Sequence, residues 1–548
     1  MAPSIGEAMG QLFSMIADFL KHPAAAGRHY DVAVIGAGPA GITIARELMR
    51  RGHDICLVES GGLDFDSRTQ ALYAGRNIGQ EYYDLDQSRL RFFGGTAAIW
   101  GGRCAVLDEI DFRRRNWVPH SGWPITRKEL MPWYRKAQDI FEIGEFAWDN
   151  AYELCGIPDQ DFDPEKFTTG LWRFDVARER FGASNAGDLK AASNLTLLLH
   201  ANAVRIQLIN NGSAVDHIAL KAIDGPSAQL KATHYVIACG AIENIRLLMS
   251  SSDVMPNGIG NDYDQLGRFF MEHPNGRIGK VEIAQPFRLW STHQKRFMKM
   301  GPPLAPVLRL ADTLQEAEET LNSIATFKLQ RPPQKGVPLG NKLYHHIKHS
   351  MSPNRTARAL NHNYRQIRAW FHRVARTQVE MAMANAGMTK LFLMIRGEQA
   401  PNPESRVVLS DRRDELGQQG ADLSWQLSAL DKHTARVFAR VFNDEASRLY
   451  DGFVVPSEWL SELGHAWPVD PTVGNHPIAG YHHMGGTRMS DDPKRGVVDP
   501  HCGVHGTNNL HIAGSSVFCT AGWANPTFTI TALALRLADK LDRTIGCR

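Results

Sequence analysis

A strand, a tight turn, a helix and a second strand within residues 30–59 constrain this chain more than any other feature. Tyr30-Asp31-Val32-Ala33-Val34-Ile35 is a β-branched run that ends in Gly36-Ala37-Gly38-Pro39-Ala40-Gly41. The segment Ile42 to Arg51 carries Ile44, Ala45 and Leu48 on one face and stops at Gly52, and Asp54 to Val58 then forms a second strand ending in Glu59. In such a unit Gly36 permits the tight turn, Gly38 lets the backbone approach a pyrophosphate, and Gly41 lets helix and strand pack closely. The helix N-terminus offers its amides to the anion. Glu59, with Ser60 after it, is placed to accept from ribose hydroxyls and repels a 2′-phosphate, so NAD and FAD remain as ligands and NADP does not. An empty glycine-rich turn would leave three glycines, each costly in conformational entropy, without a reason.

Other properties set bounds. At 548 residues the chain exceeds one hydrophobic core, so two domains or one body with a large insertion are expected. A net charge of +3 with 22% charged residues gives no electrostatic footprint for nucleic acid. The seven cysteines, at 56, 104, 155, 239, 502, 519 and 547, show no C-x-x-C spacing, which argues against a metal or cluster site. Cys239 and Cys519 sit among apolar or small residues, as reduced thiols do. The apolar stretch Leu12 to Leu20 is broken by Asp18 and preceded by Glu7, so it resembles neither a signal peptide nor a membrane span. Residues 1–27 are expected to form a short amphipathic helical extension docked on the body, and a cytoplasmic location follows.

Two more segments choose between the dinucleotides. Arg91-Phe92-Phe93-Gly94-Gly95-Thr96-Ala97-Ala98-Ile99-Trp100-Gly101-Gly102 is a second glycine-rich loop that allows backbone approach to a large planar ligand. Near the other end, Asn509 to Ser515 reads as a strand running into a turn, and Gly522-Trp523-Ala524-Asn525-Pro526-Thr527 precedes a helix to about Leu541, with Asn525 at N-cap and Pro526 at N1. These segments, with Val236-Ile237-Ala238-Cys239-Gly240-Ala241, Glu243-Asn244 and His482-His483-Met484-Gly485-Gly486 between them, resemble the glucose-methanol-choline flavin oxidoreductases in order and spacing. Within that family the chain looks most like the branch of pyranose oxidase and its bacterial sugar- and glycoside-oxidising relatives.

The resemblance implies an α/β fold, with a Rossmann-like FAD-binding domain and a discontinuous α+β substrate domain. It assigns residues 28–110, 186–273 and 476–548 to the first and 111–185 and 274–475 to the second. It places Gly36, Gly38, Pro39, Ala40, Gly41, Glu59, Ser60, Gly94, Gly95, Thr96, Trp100, Gly101, Gly102, Val204, Gly240, Gly514, Ser515, Asn525, Pro526 and Thr527 at FAD. His482 and Asn525 match the family's catalytic pair, while His483 falls on a variable position. Ile99 stands where pyranose oxidase has the histidine that bonds the flavin, so a non-covalent FAD is expected.

These residue types suit oxidation of an alcohol: a neutral imidazole, with its unperturbed pKa of about 6.5, accepts the hydroxyl proton, and an amide holds the same oxygen. Any one of 22 histidines is more often structural, and His483, His273 and His505 keep that bland reading. Resemblance favours a sugar, glycoside or polyol as substrate and oxygen, a quinone or another acceptor for the electrons. A sterol or aromatic alcohol, or an FAD-containing lyase of the same fold, stands as the alternative. A flavin reductase would need a second dinucleotide unit, which the sequence lacks.

The middle of the chain shifts in composition, with Arg331-Pro332-Pro333, Pro401-Asn402-Pro403, and a strand pair through Arg406 to Leu409 and Asp422 to Trp425. Residues 342–376 form a basic insertion of eight Lys or Arg without an acid. It reads as a solvated face or lid, or as a docking surface for a membrane, an acidic protein or an electron acceptor.

Overall fold

The β-branched run His29–Ile35 becomes the central strand of an eight-stranded sheet. In this computed structural model, residues 16–177, 179–330, 353–371, 377–463, 466–470, 473 and 477–546 are described. From one edge the strands run Ile16–Asp18, Leu195–Leu199, Ile55–Val58, His29–Ile35, Ser227–Ile237, Val215–Lys221 and Asn202–Leu208. Leu510–Ile512 joins parallel to Ser227–Ile237. The strands around His29–Ile35 are parallel and buried, as their continuous apolar runs require. The helix Pro39–Arg50 packs against the helix Pro526–Gly546, so the two ends of the sequence meet over one face of this sheet.

A second, seven-stranded sheet lies across the cleft, in the order Phe453–Pro456, Asn275–Glu282, Lys390–Arg396, Ile324–Gln330, Leu304–Leu310, Phe167–Phe174, Arg103–Cys104. All its pairings are antiparallel. One face is closed by the helix Ala429–Tyr450, whose Phe438 and Phe442 join Leu391, Leu393 and Ile395 in a core of their own. That helix starts on a reciprocal Ser428–Asp431 cap. The other face looks into the cleft.

The structure departs from the expected partition in four places. Ile16–Asp18 is a strand and no helix, because it completes the sheet edge beside Leu197–Leu199. Residues 1–15 lie outside the described residues. Arg103–Cys104 already belongs to the antiparallel sheet, before the expected boundary at 110. The helix Arg127–Phe141 packs against the C-terminal helix, with Tyr134 stacked on Phe528 at 5.3 Å, so it belongs to the parallel-sheet body. The strand pair at 406–424 forms as an antiparallel hairpin, yet it also docks on that body: Ile78 N–H donates to Leu423 O at 2.8 Å and Val407 N–H to Gly267 O at 2.9 Å. The Arg331-Pro332-Pro333 stretch and parts of the basic insertion, 342–352 and 372–376, lie outside the described residues.

Candidate active site

Between the two sheets runs one continuous cavity of about 2330 Å³. Pockets for drug-sized ligands occupy roughly 300–1,000 Å³, so this one has room for a dinucleotide and a substrate together. Its floor is backbone. Gly36, Gly38, Pro39 and Ala40 line it where the helix Pro39–Arg50 begins, with Gly38 at N-cap and Pro39 at N1. The first amides of that helix have no partner within it and point along an axis whose dipole favours an anion. Gly36 holds φ +106°, and a Cβ there would lie 2.5 Å from Ala238 O. A Cβ on Gly41 would lie 1.9 Å from Gly36 O. Gly41 therefore acts through packing and does not line the cavity, and Gly94, which turns the second loop against Phe181, does not either.

The other expected ligand residues do line it: Glu59, Ser60, Gly95, Thr96, Trp100, Gly101, Gly102, Val204, Gly240, Gly514, Ser515, Asn525, Pro526 and Thr527. Glu59 braces the turn as well, its Oε2 accepting from Ala37 N–H at 3.1 Å and its Oε1 from Gly61 N–H at 2.8 Å. A second helix, Pro526–Gly546, also opens onto the cavity with its N-terminus. An elongated anionic group over the first helix and a planar ring near the second fit this floor.

The reactive end is built from two extended segments that run antiparallel. Met271 and Met484 exchange backbone hydrogen bonds at 2.8 and 3.0 Å, and Pro274 bridges to Ala479, which sets His273 beside His482. Tyr481 has φ +60°, a left-handed conformation unusual for a bulky residue. Glu272 holds it there by accepting from Gly480 N–H at 3.2 Å and His482 N–H at 2.7 Å. The Glu272 carboxyl also accepts from Tyr82 Oη and His273 N–H. Burial pushes it up to about 7, against the pull of those donors.

The ring protons follow from their partners. His273 Nε2 faces Gly522 O at 2.8 Å, which only accepts, so Nε2 carries the hydrogen. Burial, with the nearby Arg396, pushes His273 down to about 3, so the ring is neutral and its Nδ1 accepts. His482 Nδ1 lies 2.8 Å from that atom and therefore donates. With that hydrogen on Nδ1, the neutral form of His482 presents a bare Nε2, which accepts from Asn525 Nδ2 at 3.1 Å. Arg396 Nη1 donates to Asn525 Oδ1 at 3.4 Å and fixes which way the amide points. Asn525 precedes the helix as expected, but its side chain is turned into the site and its oxygen is taken by Arg396, in place of the expected N-cap bond.

Residues 401–534 match the GMC oxidoreductase family and residues 31–256 the FAD dependent oxidoreductase family. The chain is 23% identical to the 2-methyl-1,2-propanediol dehydrogenase of Mycolicibacterium austroafricanum, over 94% of this chain and 95% of the relative. It is 24% identical to the fructose dehydrogenase large subunit of Gluconobacter japonicus, over 93% and 97%. Among solved structures, a fungal aryl-alcohol oxidase superposes with a TM-score of 0.53 at 13% identity, over 94% of this chain and 99% of the other. The chain combines a GMC oxidoreductase domain at 401–534 with an FAD dependent oxidoreductase domain at 31–256. It is an FAD-dependent oxidoreductase in fold and cofactor.

In this FAD-dependent oxidoreductase the two neighbouring histidines have opposite settings. His483 lines the cavity too, but its Nε2 lies 3.0 Å from Tyr82 Oη, whose hydrogen is committed to Glu272, so His483 donates there and offers no lone pair at Nε2. His505 is structural, with Nε2 at 3.0 Å from Ser490 O. His273 is not bland, since it touches His482. It escaped the sequence reading, as did Glu272, because the partner sits 209 residues away. On the nucleotide side Glu243 has a role that its sequence context does not reveal. Burial raises its carboxyl, but Arg246, Arg89 and Arg91 outweigh that and hold it down at about 2. Among the described residues no group of His, Cys, Asp and Glu has metal-site geometry, and no helix is long and apolar enough to cross a membrane.

Proposed function

We propose that this enzyme oxidises the carbinol carbon of a sugar, glycoside or polyol, with His482 as base and Asn525 as holder of the alcohol oxygen. The observation that carries the reading is the proton chain from Gly522 through His273 to His482, which leaves an acceptor at Nε2 beside a donor amide. FAD, when bound, supplies a two-electron acceptor for hydride. The substrate hydroxyl takes the place of the Asn525–His482 bond, donating to Nε2 and accepting from Nδ2. When Nε2 takes the proton, Nδ1 still donates to His273, and above about pH 7, where Glu272 is ionised, its carboxylate beneath the loop offsets the new positive charge. The printed names of two relatives, a diol dehydrogenase and a fructose dehydrogenase, support a polyhydroxylated substrate. The test is an anaerobic screen of alcohols for flavin bleaching, followed by reoxidation with oxygen or a quinone. Product formation without bleaching would favour a lyase instead.

The cofactor in this reading is held without a covalent bond, because Ile99, which lines the cavity, offers no nucleophile. FAD should pass into the supernatant on acid precipitation, and flavin kept by the pellet would overturn the point. For the basic insertion we infer an anionic docking partner, a membrane or an acidic protein. The helix Arg355–Phe371 exposes Leu360, Tyr364, Ile367 and Trp370 at helical spacing, and Leu360, Tyr364 and Trp370 also border the cavity. Arg358 does not belong to that surface, since it pairs with Asp64 and Glu179 at 2.7 Å each.

A further inference from the structure

The cleft-facing side of the antiparallel sheet carries more positive charge than a wall over a sugar requires. Ile324–Gln330 and Lys390–Arg396 pair with Thr326 opposite Met394 and Lys328 opposite Phe392. Directly opposed residues share a face, and alternate residues take the other. Thr326, Lys328, Met394 and Arg396 accordingly line the cavity, while Ala325, Leu391 and Leu393 enter the core behind. From the far strand Arg103 joins them. Its guanidinium and that of Arg396 both lie over Trp172, at 5.0 and 5.4 Å.

Two of these cations have no acid of their own. Among the described residues no carboxylate forms an ion pair with Arg396 or Lys328. Their hydrogen bonds go to Asn525 Oδ1 and to the carbonyl of Val473. The nearby Asp470 pairs with Arg277 at 3.5 Å. Segments 331–352, 372–376, 464–465, 471–472 and 474–476 contain neither Asp nor Glu, so none of them supplies the missing charge. Burial and then the neighbouring Arg396, Arg103 and Arg277 push Lys328 down to about 8, outweighing the pull of Asp470, and burial with Arg103 brings Arg396 to about 9, outweighing that of Glu272. A cation taken from water without an ion-pair partner in contact is costly, and in a cleft beside reacting groups that cost points to a ligand.

We propose that the alcohol oxidised here carries an anionic group, a carboxylate or a phosphate, seated between Arg396 and Lys328 while its hydroxyl meets His482 and Asn525. Arg396 contributes a planar fork that matches either anion, and Lys328 a point charge farther along the same face. Since Arg396 also touches Asn525, the anion lies close to the carbinol and not at the far end of a long substrate. The proposal rests on the alcohol-oxidation reading above.

The test uses FAD-replete enzyme and matched substrates: gluconate against glucose, glycerol 3-phosphate against glycerol, and glucosamine as the cationic case. Flavin reduction should favour at least one anionic member by about tenfold or more in kcat/KM, reject glucosamine, and weaken in salt. Which pair shows the preference separates carboxylate from phosphate. Lys328→Met should cut the preference by about tenfold, mostly through KM, and Arg396→Gln should cut it further. Glutarate and inorganic phosphate, which have no hydroxyl to oxidise, serve as binding probes through the flavin spectrum, and one of them should compete in wild type and not in Lys328→Met. Equal rates for neutral and anionic partners would overturn the proposal and leave alcohol oxidation standing. A flavin potential that moves in both variants while the preference stays would overturn it too, assigning the cations to the cofactor. If no alcohol of any charge bleaches the flavin, the oxidation reading fails, and the substrate proposal falls with it.

Discussion

The floor and the roof of the cavity recognise their ligands by different means. The floor works with backbone: Gly36 to Gly41, the Gly94 to Gly102 loop and the start of Pro526–Gly546 present amides and close surfaces where side chains would collide. The roof works with side chains, Arg103, Trp172, Lys328 and Arg396, each from a different strand. Backbone recognition needs consecutive glycines and leaves a contiguous trace in the sequence. Side-chain recognition needs only every second residue of strands far apart. The floor therefore announces a cofactor, whereas the roof keeps its substrate hidden.

The largest test of this division lies where floor and roof meet. His482→Ala should keep FAD, since it leaves the floor intact, yet slow flavin reduction by roughly 10²–10⁴, about 3 to 5 kcal/mol of barrier. Stopped-flow reduction of FAD-replete protein measures it, with His483→Ala as control. A greater loss in the control would mean the wrong histidine carries the chemistry. Next comes His273→Leu, which removes the acceptor that fixes the His482 tautomer. Reduction should fall by about 10–100-fold with an altered pH profile, and a rate like that of wild type would show that the tautomer needs no such support.

A floor variant should behave the other way. In Gly41→Ala the new Cβ must push Gly36 O away, at a cost of about 1–3 kcal/mol, so the flavin-to-protein absorbance ratio after purification should drop while any enzyme still loaded turns over normally. Full loading would show that the turn yields more easily than its packing suggests. The smallest effect concerns Glu272. Its carboxyl titrates near 7 in the fold against about 4.3 when unfolded, so the native state keeps a proton that the unfolded chain loses. Its contribution is present below about pH 4 and is lost as pH rises through 7. In Glu272→Gln that slope disappears, and the melting temperature of the variant relative to wild type should rise between these limits, by on the order of 1–3 kcal/mol in stability. A difference that stays flat with pH would place the charge of Glu272 elsewhere.

What was legible in the chain follows the same line. The first βαβ unit, the hairpin at 406–424 and the C-terminal helix are local patterns, and they form where the periodicity puts them. His482 and Asn525 were found through resemblance, and the structure brings them within 3.1 Å. His273 and Glu272 were hidden because only the pairing of 271–274 with 479–484 gives them a role. The Ile16–Asp18 strand departs from the expected helix, since three residues carry no period of their own and are extended only by their neighbour Leu197–Leu199. Asn525 follows the residue statistics of a helix start, but a guanidinium from another strand competes for its oxygen and wins.

The meeting of Pro39–Arg50 with Pro526–Gly546 has a consequence for biosynthesis. Arg51 pairs with Asp539 and Asp542, so the dinucleotide turn is braced by residues that a ribosome adds almost 500 positions later. At about 5–20 residues per second, roughly 25–100 s separate the two events. During that interval the nascent turn has its glycines but neither its covering helix nor the Leu510–Ile512 strand beside Ser227–Ile237. If flavin capture needs that brace, it follows completion of the chain, and a cell short of FAD would accumulate full-length chains awaiting it, not chains stalled halfway.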